Sequence, residues 1–72
     1  MHMARTLGTR IKNAREKQGL SQPQLGRKIG RCTATVYRWE ADLVEPSFST
    51  LRLVAAALRV PIGELVAGVQ AA

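Results

Sequence analysis

The sequence predicts a compact all-α domain of five short helices, and three observations predict it. Apolar residues recur at intervals of three and four in successive segments rather than alternating. Residues that start or stop helices fall between those segments: Ser21, Pro23, Ser47 and Pro61 as starts, Gly19 and Gly30 as stops. The one β-branched stretch, residues 33–37, sits inside a helical pattern, so no strand competes.

Each element follows from its own residues. Over residues 4–18, Leu7, Ile11 and Ala14 share one face, while Arg5, Arg10, Lys12 and Lys17 fall mostly on others, giving an amphipathic first helix. Gly19 is free to turn left-handed after it. Ser21-Gln22-Pro23-Gln24 is a capping-box pattern that starts the second helix, with Pro23 in the first turn where its missing N–H has no partner to lose. Leu25 and Ile29 bury that helix and Gly30 ends it. A third helix is expected over residues 33–41; at about 100° per residue, Cys32, Val36 and Trp39 lie inward and Ala34, Tyr37, Arg38 and Ala41 outward. Residues 42–46 form a loop, after which Ser47 caps a fourth helix striped by Leu51, Val54, Ala55 and Leu58. Pro61 opens a short fifth helix carrying Ile62, Leu65 and Val66.

A chain of 72 residues has room for one core, so one domain is expected over residues 4–68. Met1-His2-Met3 reads as a second start behind a short cloning scar, which sets residues 1–2 aside, and residues 69–72 are expected to fray. No apolar run approaches the roughly 18 residues of a membrane span, no secretory signal is evident, and the single Cys32 can make no internal disulfide. A protein of the reducing cytoplasm with no membrane partner is the expectation. Eleven Lys and Arg against five Asp and Glu give a net charge of +6, which points to a polyanion partner or, more blandly, to a surface charged for solubility.

Position along the chain favours the polyanion. Leu20, Ser21, Gln22, Leu25, Gly30, Val36, Trp39 and Glu40, continued by Pro46-Ser47 and by residues 51–65, resemble the helix-turn-helix of the phage-repressor, Cro-like (XRE-type) family. That resemblance implies a lambda-repressor-like DNA-binding domain whose helix-turn-helix is formed by the second and third helices. Three residues depart from the family pattern. Gly26 replaces a small Ala, permitting close packing at about 1 kcal/mol in helix propensity. Cys32 stands where a Ser or Thr usually caps the third helix, leaving that role to Thr33 or to a weak thiol contact. Asp42 replaces a Gly, and tolerates a left-handed backbone better than most residues.

The function implied is that of a sequence-specific transcriptional regulator, repressor-like, binding double-stranded DNA. The major groove admits one α-helix, and the outward residues of the third helix suit base edges: Arg38 for guanine O6 and N7, Thr33 for a base or phosphate, Ala34 for a thymine methyl, Tyr37 for either task. Gln22, at the start of the second helix, matches the family's backbone-contacting Gln; Arg10, Lys28 and Arg31 are further phosphate candidates. Arg15 and Glu40 match an ion pair that in the family joins the first helix to the end of the third. One reading helix per chain implies a homodimer on a near-palindromic operator, through Val66 and Val69 or through Leu43 and Val44. Cys32 reads as a small buried apolar group, the alternative being a redox-sensing thiol of lowered pKa. With His2 set aside there is no histidine, no cysteine pair and no carboxylate pair placed for acid-base work, so neither catalysis, metal nor cofactor is expected. A protein-interaction module of the same fold is the competing reading. RNA binding is weaker, because the narrow major groove of A-form RNA excludes a helix.

Overall fold

In the computed structural model, which describes residues 6–66, five helices follow in order: α1 (Leu7–Lys17), α2 (Gln22–Ile29), α3 (Thr33–Glu40), α4 (Phe48–Leu58) and α5 (Ile62–Val66). Their starts obey capping chemistry. The Thr6 hydroxyl oxygen accepts from the Thr9 N–H, Ser47 does the same for Thr50, and Ser21 and Gln24 complete a reciprocal capping box. α3 is the exception: Cys32 is its N-cap and makes no side-chain cap bond, nor does Thr33 replace it.

Four of the helices stop in one way. After α1 the Leu20 N–H bonds the Arg15 carbonyl (3.1 Å) and the Gly19 N–H that of Glu16 (2.9 Å), a Schellman motif around a left-handed Gly19. The outer bond of the same motif recurs from Arg31 to Gly26 around Gly30, from Leu43 to Arg38 around Asp42, and from Val60 to Ala55 around Arg59. Asp42 and Arg59 adopt φ of 61° and 60° without being glycine. For Asp42 this was expected from its short polar side chain; Arg59 carried no such signal.

The core joins all five helices: Leu7 and Ile11 of α1, Leu25 and Ile29 of α2, Val36 and Trp39 of α3, Leu51, Val54, Ala55 and Leu58 of α4, and Leu65 of α5. Removing each large side chain among them from water contributes about 1.5–3 kcal/mol. α3 lies between α1 and α2, while α4 backs α2 and α5 closes over α1. One side of α3 is therefore committed to the protein and the other is left free.

Two expectations about packing are corrected. Cys32 is exposed, not buried. As the N-cap it has extended backbone (φ −79°, ψ 161°), so the 100° rotation that placed it beside Val36 does not reach it. Gly26 is more than a tolerated departure: a methyl there would stand 2.5 Å from the Arg31 carbonyl oxygen, so the approach of the turn to α2 requires its absence.

Candidate nucleic-acid interface

Thr33, Ala34, Tyr37 and Arg38 are all exposed on the outer side of α3, with Tyr37 at 54% of its full accessibility, while Val36 and Trp39 between them are buried. The eight residues of α3 thus divide by helical period into an anchoring side and a presenting side. What fixes the presenting side is a polar cluster beneath its C-terminal end. Glu40 accepts from Arg15 Nε at 2.6 Å through one oxygen and from Arg15 Nη2 at 3.0 Å through the other, a bidentate pair. Arg15 Nη1 donates to the Leu20 carbonyl at 2.7 Å, and the Gln22 amide donates to Glu40 Oε1 at 2.9 Å. α1, the turn after it, the start of α2 and the end of α3 are joined through three side chains, Arg15, Gln22 and Glu40.

The Arg15 residue is 8% exposed and the Glu40 side chain 4%, so solvent screens this pair little. The bond to Glu40 holds the Arg15 guanidinium above its ordinary pKa against the opposing effect of burial, with the Glu40 and Glu16 charges adding to it. Glu16 lies 3.9 Å away and is half exposed, which makes it a minor partner.

The phosphate candidates separate. Gln22, half-buried at the first turn of α2, gives one amide N–H to Glu40 and keeps its second. Lys28 is exposed near the end of α2, and Arg31, in the corner before α3, reaches the Ile29 and Gly30 carbonyls at 3.4 Å and Thr50 Oγ1 at 3.5 Å. Arg10 already has a partner within the protein. Its Nη1 donates to the Glu64 carbonyl at 3.0 Å, and the side chain lines a cleft of about 530 Å³ between α1 and α5 to which α3 contributes nothing. A helical face read from sequence cannot tell which neighbour will occupy it; α5 arrives from 54 residues away.

Of the candidate contact residues between subunits, Leu43, Val44 and Val66 are exposed, and Val69 lies outside the described residues. Phe48, at the first turn of α4, is 62% exposed and was not anticipated; its signal was an apolar residue at a helix start, off the stripe that buries α4. Asp42 was anticipated only as a backbone device. Its carboxylate accepts from the Gly8 N–H at 3.0 Å and from the Thr6 hydroxyl at 2.7 Å, across 34 and 36 residues. Cys32 Sγ lies 3.2 Å from Thr35 Oγ1; this contact first, and then the proximity of backbone N–H groups too poorly aligned to cap the helix, bring the thiol below its ordinary pKa against a small opposing desolvation. Among the described residues no three His, Cys, Asp or Glu side chains converge as a metal site, and no helix is long and apolar enough to cross a membrane.

Comparison with known proteins agrees with this arrangement. A family model described as helix-turn-helix matches residues 11–65, well over half of the chain. A search of curated proteins finds no match. Among solved structures, the P22 c2 repressor in complex with synthetic operator 9T is similar at 28% identity and a TM-score of 0.81, covering 88% of this chain and 96% of that one. The DNA-binding domain of the P22 c2 repressor in solution is similar at 27% identity and a TM-score of 0.86, covering 93% and 88%. PlcR of Bacillus thuringiensis, in complex with the peptide PapR7 and DNA, is similar at 37% identity and a TM-score of 0.79, over 90% of this chain but only 23% of that one. With a fold, a helix-turn-helix corner and a family match that coincide over the same residues, this chain belongs to the helix-turn-helix family.

Proposed function

We propose that the chain is a sequence-specific transcriptional regulator, repressor-like, that sets α3 in the major groove of double-stranded DNA. The observation that carries this reading is the division of α3: Thr33, Ala34, Tyr37 and Arg38 stand free while Val36, Trp39 and the Arg15–Glu40–Gln22 cluster hold the helix from behind. A groove-reading helix needs reachable polar groups whose angle is fixed before contact, because base edges discriminate only through aligned hydrogen bonds. In this reading Arg38 takes a guanine edge, Ala34 a thymine methyl, and Thr33 and Tyr37 the bases beside them. The second amide N–H of Gln22, together with Lys28 and Arg31, takes phosphates. Arg10 is left out, since α5 holds it. No catalytic step or cofactor enters, and the cytoplasm, at the nucleoid, is where such a protein works.

We further propose a homodimer on a near-palindromic site, using the exposed apolar residues Leu43 and Val44 after α3 or Val66 in α5. Selection of bound duplexes from a random pool at about 150 mM salt tests the reading. Enrichment of a defined site, with affinity falling at a log-log slope of about −0.9 per phosphate as salt rises, is the expected outcome. No enriched site and a flat salt response overturn it in favour of a protein-interaction module. Leu43→Glu and Val66→Glu, compared with the parent by sedimentation and on whole and half sites, test the dimer. Unchanged cooperativity in both variants removes these surfaces from it.

A further inference from the structure

Resting on the DNA-binding reading, we infer that Asp42 is a positioning residue for sequence discrimination: it clamps the C-terminal end of α3 to the N-terminus of α1, and so fixes the angle at which α3 meets a base edge. α1 begins without an acidic residue in its first turn, so its free N–H groups and the positive end of its dipole lack a negative partner of their own. Asp42 supplies one, through Oδ1 to the Gly8 N–H at 3.0 Å and Oδ2 to the Thr6 hydroxyl at 2.7 Å. The same residue ends α3: in the left-handed conformation (φ 61°), its own N–H bonds the Trp39 carbonyl at 3.1 Å and the next N–H bonds that of Arg38 at 2.9 Å. One residue therefore closes one helix and opens another.

The approach is close. A methyl at Gly8 would stand 2.4 Å from the Trp39 carbonyl oxygen and 2.7 Å from both Glu40 O and Asp42 Oδ1, so the two backbones are already in contact where the clamp acts. The Arg15–Glu40 pair grips the same end of α3 from seven residues along α1, about 10 Å away at 1.5 Å per residue. A helix end with one polar grip can still pivot about it; a second, separated grip leaves only rotation about the line joining the two, which the buried Val36 and Trp39 oppose. Arg38, whose carbonyl accepts the α3-terminating bond, lies in the last turn, next to both grips.

Two neutral substitutions separate the clamp from the charge. Asp42→Gly keeps the left-handed backbone and deletes both acceptors; Asp42→Asn keeps an acceptor for the Gly8 N–H and removes the same charge. For each, affinity is measured on the parent's selected duplex and on random duplex, below the thermal transition followed by circular dichroism. Asp42→Gly is expected to lower the ratio of specific to random affinity about tenfold, and Asp42→Asn to restore it to within about threefold of the parent. Thr6→Val removes the bond to Asp42 Oδ2 together with the cap bond from the Thr9 N–H and leaves the Asp42–Gly8 bond in place; measured below its own thermal transition, it is expected to lower the ratio about threefold and decides the matter should Asp42→Gly fail to fold, an unchanged ratio overturning the clamp. Equal ratios for Asp42→Gly and Asp42→Asn, or a Gly variant with the parent's ratio, overturn the role of Asp42 alone. A parent that prefers no duplex overturns the DNA reading, and this role with it.

Discussion

Deleting the Glu40 carboxylate should damage this domain as much as truncating a core side chain. In Glu40→Ala the Arg15 guanidinium keeps its bond to the Leu20 carbonyl but loses two charge-assisted bonds at 2.6 and 3.0 Å, and it stays largely shielded from water. An unpaired charge left in such a place costs about 3–5 kcal/mol. At about 0.05–0.15 kcal/mol per residue, a chain of 72 residues has only about 4–11 kcal/mol in total. The variant should therefore lose about a quarter or more of its stability and at least about 12 °C of melting temperature. Arg15's raised pKa makes its share of the stability fully present below the guanidinium's unfolded value, lost only as pH rises through the folded one; no Arg15-linked loss is expected near neutrality. Urea denaturation of the parent, Glu40→Ala, Arg15→Ala and the double variant measures the coupling. Arg15→Met combined with Glu40→Leu should recover most of the loss, since apolar residues of similar size do not carry the desolvation. A Glu40→Ala cost below about 1 kcal/mol, the worth of a solvated pair, would refute the account.

Three further outcomes are expected. Arg38→Ala should weaken the selected site by about 1–3 kcal/mol and flatten the preference at one guanine, measured on single-base variants of that site; equal losses on random duplex would assign Arg38 to phosphate instead. Gly26→Ala should destabilise by about 1–3 kcal/mol in urea despite a gain of about 1 kcal/mol in helix propensity, because the methyl meets the Arg31 carbonyl oxygen at 2.5 Å; a stabilised variant would deny that approach. Cys32 should be alkylated by iodoacetamide with a pH midpoint below that of the urea-unfolded chain, and Thr35→Val should raise the midpoint. The linked stabilisation is present above the unfolded thiol's pKa and disappears as pH falls through the folded one. A folded midpoint at or above the unfolded one would contradict it.

The five helices were legible because each carries local signals that agree with its pattern: Ser21 and Gln24 at one start, Ser47 at another, Gly19 and Gly30 at two stops, and apolar stripes of the right period. The presenting side of α3 was legible for the same reason, since Val36 and Trp39 dictate which residues must face away. What was not legible was whatever depended on a partner distant in sequence or on the first residue outside a helix. Arg10 is claimed by Glu64 and Asp42 by Gly8, and neither pairing leaves a trace in local spacing. Cys32 lies one residue before the helix begins, where the rotation rule ceases to apply. Arg59 turns left-handed with no residue preference to announce it.

The alternation along α3 has an evolutionary consequence. Since Val36, Trp39 and Glu40 bear the anchoring, Thr33, Ala34, Tyr37 and Arg38 touch little of the remaining protein, and exchanging them should alter stability by no more than about 0.5 kcal/mol each. Under the proposed reading of α3, a lineage is then free to wander through DNA targets without passing through unfolded intermediates, because the residues selected for a new site are not those that keep the domain in one piece. The chain would then behave as a chassis with four interchangeable positions, its vocabulary of sites limited by the fixed angle of α3 rather than by the tolerance of the fold.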